Sequence, residues 1–205
     1  MQWHSLNLFA YPLIKIPMKS YPTAARFFNQ KLRQTGDNNV ISHYHSRQNV
    51  FEIYEELAEV GAEIQQAGSF AYKQLLNHQK SGDMRINGAW FNLCQPGGDQ
   101  MKHSHGNCLL SGTLYLNTDE HSEITFYHPL SADAFHAELN DEPCQSNNAF
   151  GLNYHVREVS VAVSAGDCLF WPPQLKHGYK ANKTPDRLSL SFNLMPHHLN
   201  SIYQL

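Results

Sequence analysis

From Met84 to Leu194 the chain is a succession of short extended runs set off by turn residues, and this pattern constrains the fold more than any other feature. Met84 to Leu93 precedes the turn Gln95-Pro96-Gly97-Gly98. The runs Leu109 to Leu116 and Ile124 to Tyr127 follow, and after a polar stretch come Val156 to Val163, Cys168 to Trp171 and Arg187 to Leu194. Short strands at even spacing with turn chemistry between them predict an antiparallel sandwich or barrel.

The first half has a different texture. Leu6 to Ile16 is apolar and broken by Pro12, which suits an edge strand. Thr23 is placed to cap a short helix that ends at Gly36-Asp37-Asn38-Asn39. From Val50 to about Leu76 apolar residues recur at the helical period, opposite Glu52, Glu55, Glu56, Glu59 and Glu63. Gly61 or Gly68 is the expected break, and the acidic face is expected to be merely solvated. Helices first and strands after predict an α+β, mainly β chain whose N-terminal helices pack on one sheet. We expect a single domain over 1–205, with a helical buttress and edge strand (1–82) and a β core (83–205).

Charge and composition limit the partners. The net charge of −3, from 15 basic and 18 acidic side chains, leaves no electrostatic footprint for nucleic acid. No apolar run reaches membrane-spanning length and the N-terminus lacks a signal-peptide pattern, so a cytoplasmic protein is expected. Cys94, Cys108, Cys144 and Cys168 show no CxxC spacing and are expected as free thiols.

Chemistry concentrates in GGDQMKHSHGNCLLSGTLYL, residues 97–116. On an extended chain residues i and i+2 share a face, so His103 and His105 can offer two imidazoles to one metal. His43 and His45 form a second HxH with nothing around it that asks for a metal. Far along the chain Pro172-Pro173 ends a strand before His177, which supplies a third nitrogen if the sheet rolls on itself. In RLSLSFNL, Arg187, Ser189, Ser191 and Asn193 share one strand face. A guanidinium there is costly to bury without an anion and matches a carboxylate in bidentate fashion. The rival reading leaves that face in solvent. Asn92 and Tyr115 have the parity to point inward and to hydrogen-bond a carboxylate, whereas Trp90 and Trp171 read as core. The loop from Pro129 to Tyr154 is long enough for a lid.

HSH, LSGTLYL, FWPPQLKHGY and RLSLSFN together resemble the 2-oxoglutarate and Fe(II)-dependent oxygenases, and most closely a bacterial and phage subgroup that carries an HxH motif. The resemblance spans Trp90 to Leu194. It implies a double-stranded β-helix of the jelly-roll or cupin-like kind, and oxidation of a second substrate coupled to decarboxylation of 2-oxoglutarate. The second substrate, a small molecule or a peptide, is not specified, and a homodimer is left open. It further implies His103, His105 and His177 as ligands to Fe(II), and Arg187 with Ser189 as the anchor of 2-oxoglutarate, Asn92 and Tyr115 assisting. The family's usual carboxylate ligand is replaced by His105. A water or a remote acid such as Asp99 or Asp119 could stand in for it, and a histidine is too bulky to admit chloride. The spacings Gly97-x5-HSH and Gly166-x5-Pro172 also resemble the cupin motifs. The alternative is therefore a three-histidine cupin-type protein that does not use 2-oxoglutarate, which would keep the same three ligands.

Overall fold

A computed structural model describes residues 12–33, 49–76, 83–129 and 158–197. The HYH histidines, the loop at 36–39, Cys144 and nearly all of the expected lid lie outside the described residues.

Among the described residues nine strands form two antiparallel sheets. They are β1 (Ile14–Pro17), β2 (Met84–Cys94), β3 (Gln100–His103), β4 (Leu110–Asn117), β5 (Glu123–Tyr127), β6 (Glu158–Ala162), β7 (Asp167–Trp171), β8 (His177–Tyr179) and β9 (Arg187–Pro196). One sheet has the order β1-β7-β4-β9-β2, the other β3-β8-β5-β6. From β2 to β9 the chain changes sheet at every connection except β5 to β6. That winding is a double-stranded β-helix, in line with the expectation from sequence.

The large sheet buries both faces, and they differ in chemistry. Period-2 alternation in β9 sends Leu188, Leu190, Phe192 and Leu194 outward into an apolar core with Phe91, Leu114 and Phe170 beneath the helices. Each such side chain taken from water contributes about 1.5–3 kcal/mol. The opposite face turns Arg187 and Ser189 into the barrel, where both are buried. The polar face of RLSLSFNL is thus the inside.

Among the same residues three α-helices build the buttress: α1 (Tyr21–Phe27), which runs on into a π-turn over Phe28–Leu32, α2 (Val50–Ile53) and α3 (Ala58–Leu76), the last led in by a 3-10 turn at Glu55–Leu57. Ser20, not Thr23, occupies the N-cap of α1, because Pro22 favours the first turn and pushes the start back. The long helix breaks at Tyr54, whose backbone is extended (φ −120°), and not at a glycine. Tyr54 instead packs its ring 4.8 Å from that of Phe27. α3 passes straight through Gly61 and Gly68. A Cβ on Gly68 would lie 2.3 Å from Leu194 Cδ1, so this glycine lets the helix approach the sheet.

The acidic face of α3 is not merely solvated either. The Glu63 carboxylate accepts from the backbone N–H groups of Lys19 and Ser20, both at 2.9 Å, and from the Ser20 hydroxyl. α3 also covers the free edge of β2: Met84 N donates to Ser69 Oγ (2.9 Å) and Ile86 N to Gln65 Oε1 (3.4 Å). An exposed strand edge invites pairing with other chains, and these side chains occupy it.

β1 is an edge strand, as expected, but it begins only at Ile14 within the described residues. Among the described residues no helix is long and apolar enough to cross a membrane. Cys94, Cys108 and Cys168 are buried free thiols.

Candidate metal centre

β3 and β8 are neighbours in the small sheet, and their register pairs His103 with His177. The close approach needs a glycine after His177, since a Cβ on Gly178 would fall 2.5 Å from Gln100 O. His105 lies two residues beyond the end of β3, and its backbone N–H donates to Pro173 O (3.0 Å), which ties the HxH segment to the turn before His177. The three histidines converge, their candidate ligand atoms all within 4.8 Å of one another.

The second nitrogen of each ring fixes how the first is presented. His103 Nδ1 is 2.8 Å from Met101 O, and His177 Nδ1 is 3.0 Å from Leu175 O. A carbonyl only accepts, so Nδ1 carries the proton in both rings and each Nε2 is left with its lone pair. His105 Nε2 is 3.2 Å from His177 Nε2, with the two rings 3° from parallel. Two nitrogens bound at right angles to one ion at about 2.1 Å stand roughly 3 Å apart. Imidazole nitrogen suits iron. The donor set therefore fits a first-row metal ion.

Around the triad, Trp171 stands edge-on to His177 with ring centroids 4.7 Å apart, and Phe126 lies 6.1 Å away. Trp90 stacks on His105 at 5.7 Å and lines the cavity, so the expectation that it is simply core is corrected. Trp171 is core, as expected, at 1% exposure. Burial, with a smaller contribution from His103, pushes His105 down to about 4. Burial likewise pushes His177 down to about 3, although its bond to Leu175 O opposes this.

Both folded values lie below the unfolded value of about 6.5, so between them the unfolded chain binds more protons. This penalty is absent above about pH 6.5 and grows as pH falls toward 4. Metal-free protein is accordingly expected to lose urea resistance over that window, and less steeply in His105→Gln. An equal slope in the variant would show that His105 stays neutral for no energetic reason.

A narrow cleft runs from the triad to Arg187, lined also by Asn92, Tyr115, Ser189 and Ser191. Asn92 Nδ2 donates to Ser191 Oγ (2.9 Å), and Ser191 Oγ lies 3.1 Å from Thr113 Oγ1, giving the floor a hydroxyl ladder. Arg187 is 4% exposed and Ser189 3%. The guanidinium packs 3.9 Å over the Tyr179 ring and donates from Nη2 to Glu123 O (3.1 Å). Among the described residues it makes no ion pair with a carboxylate. Burial pushes the Tyr115 hydroxyl up to about 12 despite the Arg187 charge beside it, so it stays a neutral donor.

Neither remote acid reaches the triad. Asp119 accepts from Thr184 Oγ1 (2.6 Å) beyond the Arg187 end of the barrel, and Asp99 is exposed. Among the described residues the metal-capable group consists of the three histidines alone. Two participants are given no role by the sequence: Trp90, whose inward parity follows from Asn92 two residues on, and Tyr179, which shares the short strand of His177.

Fold and donor set together define a non-haem metal enzyme on a double-stranded β-helix. The family described as "Putative 2OG-Fe(II) oxygenase" matches residues 88–193, which run from within β2 to within β9 and include every candidate ligand. The chain belongs to this family and is a non-haem enzyme dependent on Fe(II) and 2-oxoglutarate.

Solved structures agree on the fold. A Pseudomonas putida prolyl-4-hydroxylase is 15% identical, with 92% of this chain and 94% of that one covered and a TM-score of 0.56. The non-heme alpha ketoglutarate dependent epimerase SnoN from nogalamycin biosynthesis is 15% identical over 90% of this chain and 76% of its own, at a TM-score of 0.56. HygX from Streptomyces hygroscopicus, solved with nickel and 2-oxoglutarate bound, is 14% identical over 91% and 83%, at 0.53. No curated protein matches the chain.

Proposed function

We propose that the chain is a hydroxylase of this family in which His103, His105 and His177 hold the iron as a neutral three-nitrogen set. One observation carries the reading: a single cleft joins the triad to a buried guanidinium that, among the described residues, has no carboxylate of its own. Burying a charge without a partner is expensive, and a ligand carboxylate is what would repay it.

When bound, iron and 2-oxoglutarate supply the oxidative chemistry, in which dioxygen and 2-oxoglutarate give succinate and carbon dioxide and one oxygen atom goes to a C–H bond of the second substrate. The residues of the chain position the reactants. Arg187 binds the distal carboxylate through its planar fork, with Ser189 beside it on the same strand face and the neutral Tyr115 hydroxyl as a further donor. Asn92, fixed through Ser191, faces the same space. Met101 O and Leu175 O hold the His103 and His177 rings with Nε2 forward, the arrangement by which second partners orient metal-binding imidazoles. Trp90, Phe126 and Trp171 exclude water from one side of the triad.

The second substrate, a small molecule or a peptide, enters at the triad end. With His105 in place of a carboxylate the protein ligands carry no charge, so the bound ion keeps more of its positive charge and draws the 2-oxoglutarate dianion more strongly.

Anaerobic titration with Fe(II) and then 2-oxoglutarate tests this. The visible metal-to-ligand charge-transfer band of the chelate is expected, with one equivalent of each. Tight metal binding without the band would favour the three-histidine cupin reading.

A further inference from the structure

Arg187 opens β9, and at that point the sheet frames its backbone on one side only. Its register partner is Cys94 on β2, but pairing with β4 begins one residue later, at Leu188 with Asn117, next to an irregularity between Tyr115 and Asn117. Glu123 O, the Tyr115 hydroxyl and the Tyr179 ring hold the far end of the side chain. The direction in which that side chain leaves the backbone is set by the residue before it.

That residue, Asp186, has left-handed backbone (φ 50°). Asp and Asn tolerate this conformation better than other non-glycine residues, yet it persists only where the surroundings over-determine it. Here they do so from three directions. Gln95, one residue past the end of β2, donates from Nε2 to Asp186 Oδ1 (2.6 Å) and accepts from the Asp186 N–H at Oε1 (3.3 Å). Asn117, the last residue of β4, donates from Nδ2 to Asp186 O (2.8 Å). Arg33, which closes the π-turn after α1, donates from Nη2 to Asp186 Oδ2 (2.6 Å) and from Nη1 to Asn29 Oδ1 (3.1 Å). Gln95 and Asn117 thus supply side-chain rungs where the backbone ladders of β2 and β4 run out.

We infer that Asp186 is a positioning residue for the co-substrate: clamped by Gln95, Asn117 and Arg33, it fixes the left-handed turn into β9 and so aims Arg187 at the distal carboxylate. The inference rests on the co-substrate reading above. Both side chains of the Arg33 pair are more than a third exposed, so the charge pair by itself contributes little. The clamp acts through geometry. A residue at 186 that leaves the left-handed region swings the Cα–Cβ direction of Arg187 and turns its planar fork out of line, and a bidentate match to a carboxylate depends on that plane. Asp186 itself touches no reactant, since its carboxylate is committed to Arg33 and Gln95.

The test compares two 2-oxo acids on Fe(II)-loaded protein by anaerobic charge-transfer titration: 2-oxoglutarate, which reaches Arg187, and 2-oxobutyrate, which has the same chelating head and no distal carboxylate. Asp186→Ala is expected to raise the dissociation constant for 2-oxoglutarate about tenfold, in line with the net loss of one or two hydrogen bonds. The dissociation constant for 2-oxobutyrate and the iron content are expected to stay at the parental values. Asp186→Asn keeps an acceptor for Gln95 and the tolerance for positive φ, so it is expected to remain within about threefold of the parent. Asn117→Ala loosens the same residue from an exposed position without touching its carboxylate, and it decides the question where Asp186→Ala does not fold. A rise of about threefold is expected there, for 2-oxoglutarate alone. Parental affinity for 2-oxoglutarate in Asp186→Ala and Asn117→Ala would overturn the inference. So would an equal loss of both 2-oxo acids, since that reports general damage to the barrel. No 2-oxoglutarate band in the parent protein would overturn the co-substrate reading itself, and this role of Asp186 with it.

Discussion

His177→Ala is expected to abolish Fe(II) binding at micromolar metal while leaving the barrel folded. His177 is 4% exposed, its Nδ1 is committed to Leu175 O, and its Nε2 stands opposite His105 and His103. Removing a mere hydrogen-bond partner of a metal ligand costs about 10–100-fold in affinity. Deleting the best-buried of three ligands is expected to exceed the upper figure, and the remaining pair, both partly exposed, cannot close a site. His177→Gln keeps most of the side-chain volume between Trp171 and Phe126, so it separates ligation from packing. Both variants should show bound iron reduced to background with the parent's circular dichroism. Iron content above half of parental in His177→Gln would remove His177 from the ligand set.

How much of the fold and site is legible in the sequence depends on whether the signal is local. β9 is legible because eight residues, Arg187 to Leu194, alternate strictly, and its parity alone puts Arg187 and Ser189 on one face. That this face is the interior follows only from the helices covering the other. The strands that carry the triad are not legible. β3 has four residues and β8 three, too few for a period, so the sequence pattern puts His103 on the approach to the next strand and His177 in a loop. The triad is nevertheless recognisable, because the HSH spacing and the Pro172-Pro173 stop survive a wrong strand assignment.

Glu63 shows the opposite case. Its helical period puts it on a polar face, and nothing nearby in sequence reveals that Lys19 and Ser20, over forty residues earlier, bring their N–H groups to it. Gly61 and Gly68 mislead for a related reason: a glycine in a helix marks either a break or a close neighbour, and the neighbours, Phe51 and Leu194, are known only from packing.

Arg187→Met is expected to abolish 2-oxoglutarate binding, leave iron binding intact and make the co-substrate-free protein no less stable. The first effect comes from a desolvated carboxylate left without its partner, a loss of about 3–5 kcal/mol. At about 1.4 kcal/mol per tenfold this raises the dissociation constant by roughly two to three and a half powers of ten. The second follows from distance along the chain and space: Arg187 begins β9 at the far end of the cleft and touches none of the three histidines. The third follows from what Arg187 costs before the ligand arrives. It is only 4% exposed with no carboxylate partner among the described residues, so exchanging it for an unbranched apolar side chain removes a desolvation penalty while Met still covers Tyr179. Arg187→Lys separates charge from shape, because the ammonium keeps the charge but loses the planar fork, and it should bind 2-oxoglutarate more weakly than the parent yet better than Met. The measurements are charge-transfer titration, iron content and urea denaturation on the same preparations. If Arg187→Met bound 2-oxoglutarate like the parent, the guanidinium would be a structural partner of Tyr179 and not the anchor. A Met variant that lost both iron and stability would mean instead that the guanidinium braces the barrel.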